Sequence, residues 1–460
     1  MRKLLFFLIV FLILSCGRNG RFPWVFSSGE IGFPFLSIED IDNDGKSEVV
    51  GVTTCNKIFA LNGENGSVLW KQKVGECRCC APFSELTDEY SPAFIGDINN
   101  DGEKEIILHY NGEIFALNGE DGSLLWSFQT SSKEAFDLVI TDVNEDGNPE
   151  VITTDTGGFV YCLRGEDGSL LWSYTTPGIE GWVNSSPTVG DIDKDGKVEV
   201  IFGTKDNKIY ALNAEDGAVL WIYDYDIPEY SWDFTFHSSS SIKDINGDGK
   251  SEVIVNTGNC VILKGEDGSL LWSYSGGCLW TKPPIIDLDN DDELELIVPI
   301  FMQDKKEILA LKGKNGSEKW VFYIRNEETL PCFPVVENID EDKELEILFL
   351  AEDKKLYAID GKDGSLLWAY EINNPEYVEV CDLSRLPIIG DLNNDGRNEI
   401  IFGADKLYIL NGENGSLIWS YTTHTSRIQP YTIIDLNQDG KLDILFGTSD
   451  GKIYAITPDL

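Results

Sequence analysis

Nine short acidic segments carry most of the chemistry this chain can offer. They follow the pattern D-x-[DN]-x-D-G-x-x-E and begin at Asp40, Asp97, Asp142, Asp191, Asp244, Asp287, Asn338, Asp391 and Asp435. Side-chain oxygens at positions 1, 3 and 5 of such a loop fold inward around one hard cation. Glycine at position 6 allows the sharp turn, and the position-7 carbonyl and position-9 carboxylate complete an all-oxygen shell. The side chains expected to ligate are Asp40, Asp42, Asp44 and Glu48; Asp97, Asn99, Asp101 and Glu105; Asp142, Asn144, Asp146 and Glu150; and Asp191, Asp193, Asp195 and Glu199. The series continues with Asp244, Asn246, Asp248 and Glu252; Asp287, Asp289, Asp291 and Glu295; and Asn338, Asp340, Asp342 and Glu346. It ends with Asp391, Asn393, Asp395 and Glu399, and Asp435, Asn437, Asp439 and Asp443. Oxygen-only ligation favours calcium over zinc or copper. A single such loop reads equally well as a metal-free acidic turn, but nine copies at one repeat position select the metal. Two loops depart from the pattern: Asp292 replaces the glycine of the sixth, and Lys343 that of the seventh. A lysine beside the ion repels it, so the seventh site is expected to be the weakest or empty.

The elements that must position these loops repeat with them. Loop starts are 43 to 57 residues apart, the scale of a four-stranded propeller blade. In the fourth unit strand A is read at residues 186–190, strand B at 200–203, strand C at 208–212 and strand D at 219–223. These runs are β-branched and aromatic, punctuated by Gly, Asn and Asp. Each strand D carries a tryptophan: Trp70, Trp126, Trp172, Trp221, Trp272, Trp320, Trp368 and Trp419. They are expected to pack between blades rather than bind a ligand. The preceding G-E-D-G-S is a hairpin turn, not a phosphate loop. The ninth unit stops after strand C, while residues 22–26, Phe-Pro-Trp-Val-Phe, read as an orphan strand D. The expected fold is therefore all-β: a closed β-propeller of nine four-stranded blades over 22–457, its ring closed by the N-terminal strand. Eight blades with one displaced unit is the alternative.

The formal net charge is −43, from 79 acidic and 36 basic residues, and it excludes a basic nucleic-acid-binding face. The 30 carboxylates at ligand positions would be partly neutralised by bound cations. Arg2 and Lys3 precede an 11-residue apolar run, Leu4 to Leu14, too short for a membrane-spanning helix. Ile13-Leu14-Ser15-Cys16 resembles a bacterial lipobox with Cys16 as the lipidated residue. Residues 1–16 are thus expected to be an export signal and 17–21 a short linker; an ordinary signal peptide cut nearby is the alternative. Both place the chain outside the cytoplasm, and the lipid anchor would hold it at the cell envelope.

The Y-A-L-N-G-E-D-G-S-L-L-W half of the repeat resembles the quinoprotein (PQQ-type) propeller repeat with its tryptophan-docking motif. The acidic half resembles the FG-GAP repeat of integrin α-chain propellers. Together they cover roughly residues 22–457. The resemblance implies a propeller; such propellers serve as dehydrogenases, lyases, adhesins and envelope-assembly scaffolds, so it leaves function open.

Alternating strand direction puts A–B loops and C–D turns on one uniform face, and B–C and D–A connections on a variable face. The longest variable connections are 71–91, 222–240 and 369–387. Cys162 occupies a core position of strand C and is expected to be a free thiol. Cys55, Cys77, Cys79, Cys80, Cys260, Cys278, Cys332 and Cys381 all map to the variable face and read as disulfides of an exported protein. Cys260–Cys278 is the expected pair, Cys55 has the same relation to Cys77, Cys79 and Cys80, and Cys332 and Cys381 enter adjacent blades. Trp182, Trp232 and Trp280 lie outside the repeat, with His237 nearby, and either bind a planar ligand such as a sugar or plug the channel mouth. The reading this supports is an exported, monomeric, calcium-binding propeller that binds or scaffolds a protein or glycan without catalysis. One alternative is a quinoprotein dehydrogenase, suggested through the resemblance by Cys79-Cys80. It lacks a recognisable set of quinone carboxylate binders or a C-x-x-C-H haem motif, which argues against PQQ. The other is a calcium-dependent polysaccharide lyase or hydrolase using Asp233, His237, Glu376 or Glu379.

Overall fold

A computed structural model describes residues 21–29, 35–53, 57–75, 93–133, 137–177, 183, 185–225, 240–256, 258–275, 282–302, 305–324, 333–340, 342–372, 386–425 and 427–460. Within them every regular element is a strand, and the strands form nine four-stranded antiparallel sheets. In eight sheets the order is the chain order, A-B-C-D, as adjacent hairpins require. The fourth blade comprises Thr188–Gly190, Glu199–Thr204, Lys208–Asn213 and Val219–Asp224. Strand A starts two residues later than the sequence suggests, immediately after Pro187, which has no N–H to give a ladder.

The ninth sheet closes the ring. Arg21–Ser27 pairs antiparallel with Lys452–Thr457, which continues through Asp443–Thr448 to Ile428–Ile434. The register places Trp24 opposite Ala455 and Ser27 opposite Lys452. Strand D of this blade thus comes from the other end of the chain, as the orphan segment 22–26 implies.

Burial explains the layering. Strands B are buried throughout, as in Glu199–Thr204, because neighbouring blades cover both their faces. Strands D are largely exposed apart from the tryptophan, which is buried in Val219–Asp224 and partly buried in the fifth, seventh and eighth blades, as an outer edge would be. The apolar residues gather in nine clusters, and each joins two adjacent blades rather than filling one. The cluster of Trp24, Phe26, Phe59, Leu61, Leu445 and Ile453 joins the ninth blade to the first. A blade is a single sheet that cannot bury both faces alone, so the ring is the smallest stable unit.

Tryptophan docking is the most regular contact. The Trp126 Nε1–H donates to the Gly165 carbonyl of the next blade at 2.7 Å, and its ring lies against Gly168. A Cβ on Gly168, whose φ is +68°, would sit 2.5 Å from that ring, so the turn requires glycine. The same bond runs from Trp24, Trp70, Trp172, Trp221, Trp272, Trp320 and Trp368, at 2.6 to 2.9 Å. Trp419 differs. It faces the ninth blade, whose strands C and D come from opposite ends of the chain and are joined by no turn. Its indole is only partly buried and stacks on Tyr421.

The acidic face and its candidate cation loops

Each acidic loop is folded by its own carboxylates. The position-5 Oδ1 accepts the position-7 N–H, as from Lys197 to Asp195 at 2.7 Å. The position-1 Oδ2 accepts the position-6 N–H, as from Gly196 to Asp191 at 3.2 Å. In the seventh loop the Asn338 amide instead donates to the Asp342 carbonyl. Position 9 opens strand B and is buried in all nine blades. One of its oxygens accepts the position-2 N–H, at 2.8 Å in Glu346 and 3.3 Å in Asp443. The other faces the loop in the glutamate blades, whereas Asp443 Oδ1 accepts from the Thr457 hydroxyl at 2.5 Å. Five blades pin their loop to the C–D turn of the same sheet by ion pairs, such as Lys46–Glu64 at 2.9 Å and Lys250–Glu266 at 2.6 Å. The loops and turns therefore share one face, as strand direction requires.

The loops fit a hard cation. In the first, Asp40, Asp42 and Glu48 bring one oxygen each within 4.8 Å of one another. Asp40 Oδ1 and Glu48 Oε1 are buried there without a hydrogen-bond donor, and so is Asp97 Oδ1 in the second loop. A buried carboxylate oxygen with no partner is costly, and a cation would remove that cost. Asp191, Asp193 and Glu199 converge in the same way, as do Asp340, Asp342 and Glu346. Burial pushes the carboxyls of Glu48, Glu105, Glu199 and Glu346 up to about 7, against the pull of the position-2 N–H, and the loop aspartates add to the rise. Burial likewise raises Glu150, Glu252, Glu399 and Asp443. Where position 3 is asparagine the geometry differs. Asn99, Asn144, Asn246 and Asn393 donate Nδ2 to the position-9 glutamate, at 3.0 to 3.4 Å. Cation binding in those loops requires the amide to turn its oxygen inward.

Position 4 carries a feature that the sequence reading missed. Asn43, Asn100, Glu145, Lys194, Gly247, Asn290, Asn394 and Gln438 all have φ between +55° and +75°. In four of these loops the side chain reaches the neighbouring blade. Asn43 Nδ2 donates to the Gly102 carbonyl at 2.8 Å, Asn100 to Gly147, Asn290 to Lys343 at 2.6 Å, and Gln438 to Gly45 at 2.8 Å. Three of these links run consecutively from the ninth blade to the third, across the closure. The signal was present as Asn or Gly at five of these positions, the residues that tolerate this conformation best.

The sixth loop holds a further side chain. Lys319 Nζ lies 2.8 Å from Asp289 Oδ1 and 2.9 Å from Glu295 Oε1. The three acidic residues that gather there are Asp287, Asp289 and Asp291, without Glu295.

On the opposite face the structure brings together residues that sequence reasoning did not single out. Asp155 is fully buried and accepts from the Ser131 hydroxyl at 2.7 Å, the N–H groups of Ser131, Ser132 and Phe159, and Tyr161 Oη. It ties the end of the second blade to the third. His109 is buried near it, with no hydrogen-bond partner for Nε2. Burial lowers the His109 imidazole to about 4, partly opposed by the Asp155 charge. Cys162 is a free thiol, fully buried opposite Trp172, and burial raises its pKa well above the usual thiol range. Cys260 is buried too, as the second residue of strand Asn259–Lys264. Cys16, Cys55, Cys77, Cys79, Cys80, Cys278, Cys332, Cys381, Trp182, Trp232, Trp280, Asp233, His237, Glu376 and Glu379 lie outside the described residues.

Nine blades, eight of them docked on the next by a strand-D tryptophan and the ring closed by the N-terminal strand, define a β-propeller of the PQQ-like class. Comparison with known families agrees: the chain belongs to the family described as outer membrane protein assembly factor BamB, whose model matches residues 44–145, 141–278 and 275–458. No curated protein matches the sequence. Among solved structures, the V. cholerae biofilm matrix protein Bap1 is 16% identical with a TM-score of 0.50, over 96% of this chain and 91% of that one. The computationally designed Ika8 protein is 11% identical with a TM-score of 0.50, over 94% and 98%. BamB from Moraxella catarrhalis is 14% identical with a TM-score of 0.47, over 95% and 99%. At these identities the likeness concerns the fold.

Proposed function

We propose that this protein is an exported, calcium-stabilised propeller scaffold, held at the cell envelope through Cys16, that binds a protein or glycan partner without catalysing a reaction. The observation that carries the calcium reading is the first loop. Its unpartnered buried oxygens, Asp40 Oδ1 and Glu48 Oε1, converge with Asp42 in an all-oxygen set suited to calcium. The family description, an outer membrane assembly factor, supports a scaffolding role at the envelope and a protein partner. The metal face repeats nine times and offers a partner little that is distinctive. The partner is therefore assigned to the opposite, variable face, where Trp182, Trp232 and Trp280 interrupt the repeat.

One experiment with two arms tests this. Thermal unfolding is followed in EDTA and in millimolar calcium. A ligand that binds only the folded state stabilises it by mass action, about 2.7 kcal/mol per site at a hundredfold excess over Kd. Several sites together should raise Tm by well over ten degrees, and superimposable curves would remove calcium from the reading. In the second arm, Trp232→Ala with Trp280→Ala should weaken capture of envelope proteins or glycans while leaving the calcium-dependent Tm rise intact. Asp193→Asn should reduce the Tm rise first. Unfolding of the tryptophan variant with no separable binding defect would overturn the partner assignment.

A further inference from the structure

Strand D of the sixth blade, Glu318–Tyr323, departs from its counterparts at one place. In every blade whose strands C and D are joined by a turn, the residue before the docking tryptophan is a bulge residue with no partner on strand C. It is Leu69, Leu125, Leu171, Leu220, Leu271, Leu367 or Ile418 in seven blades and Lys319 in the sixth. The aliphatic residues stay at the surface or pack on the interblade cores. Lys319 instead reaches over strand C into the acidic loop, where its ammonium donates to Glu295 Oε1 at position 9 and forms an ion pair with Asp289 Oδ1 at position 3. Its side chain is 12% exposed and that of Glu295 is fully buried.

We infer that the Lys319 ammonium is the resident cation of the sixth loop, so that this blade is organised without metal while the loops that keep the pattern take calcium. The inference rests on the calcium reading above and sharpens it. A calcium ion bound to Asp289 Oδ1 and Glu295 Oε1 would lie about 2.3–2.6 Å from each. The ammonium nitrogen already stands 2.8 and 2.9 Å from the same two atoms. The two cations would compete for the same two oxygens, and like charges in a partly buried site repel strongly. Occupancy is therefore exclusive. The remaining carboxylates fold the loop as their counterparts do in the other blades. Asp287 accepts the N–H groups of Asp289, Asp291 and Asp292, and Asp291 accepts that of Glu293. The loop also departs from the pattern at position 6, where Asp292 replaces glycine at φ +66°. Through Asn290, which donates to the Lys343 carbonyl, the sixth loop holds the seventh. The face thus keeps one anchored blade when calcium is withdrawn.

Calcium bound per chain, measured on the intact protein by equilibrium dialysis, tests the inference in the wild type and in Lys319→Leu, the residue most other blades use. The variant should bind one more ion per chain. Amine labelling read by mass spectrometry gives a measurement that needs no variant: Lys319 should stay protected equally in EDTA and in calcium. An unchanged ion count in a folded Lys319→Leu protein, or labelling of Lys319 that rises on calcium addition, would overturn the inference and leave the other calcium loops standing. No bound calcium in either protein would overturn the calcium reading itself, and this inference with it.

Discussion

A docking tryptophan contributes through two groups at once, an indole face on the neighbouring glycine turn and an Nε1–H on its carbonyl. Trp126 shows both and is 7% exposed. Replacing it with phenylalanine keeps most of the apolar contact but leaves the Gly165 carbonyl unpaired in a buried place. The expected loss is roughly 1–3 kcal/mol by chemical denaturation. Trp419→Phe serves as the internal control. That indole has no turn to meet, so the loss should be well below that of Trp126→Phe; equal losses would mean the docking bond contributes little. His109 makes a separate prediction about acid. Its folded pKa is lowered from 6.5 to about 4 by burial. Between those values the unfolded chain takes up a proton that the folded protein refuses. The stability linked to His109 is thus complete above pH 6.5 and lost as pH falls through 4. Urea unfolding at pH 7 and pH 4.5 should show the wild type losing about 2 kcal/mol more than His109→Leu. A parallel loss in the two proteins would mean that the imidazole does not stay neutral in the fold.

The blade is the scale at which the sequence was most readable. Nine repeats test each position nine times, so the acidic loop, strands B to D, the docking tryptophan and the closing strand could all be read from residue types alone. What escaped was contact between segments that lie far apart in sequence. Lys319 follows its loop by about 30 residues and reaches it only through the bulged register of strand D over strand C. The sequence reading expected a weak cation site in the seventh loop, at Lys343, and passed over the substitution of E-K for L-L in the sixth repeat. The position-4 links were hidden for the same reason, because their partners belong to the next blade. The variable face offered no repetition to read. Closure makes the element-scale prediction. Removing residues 21–27 strips the ninth blade of its outer strand and takes Trp24 and Phe26 out of the cluster that joins it to the first blade. The exposed edge of Lys452–Thr457 then invites pairing with other chains. Light scattering and unfolding should show association and a lower, broader transition. A truncated protein that stays monomeric and equally stable would argue that the ring does not depend on this strand.

At the scale of the whole molecule, a closed array of nine interblade cores has no terminal repeat at which unfolding can begin at low cost. The junction between the eighth and ninth blades is the one without a tryptophan docking bond, because Trp419 faces no C–D turn. Seen this way, the numbering of the blades is a convention of synthesis rather than of structure. The cut in the circle can be moved. Splicing residue 457 to residue 21 through a G-E-D-G-S turn, and reopening the chain between Glu215 and Asp216, should yield a circular permutant with the same ring. Trp419 would then gain a dock while Trp172, which now bonds the Ala214 carbonyl at 2.8 Å, would lose one. Calcium response and unfolding midpoint should stay near those of the parent, with the undocked junction relocated by five blades. If the permutant fails to fold, the position of the cut matters in its own right, and the molecule has a first blade after all.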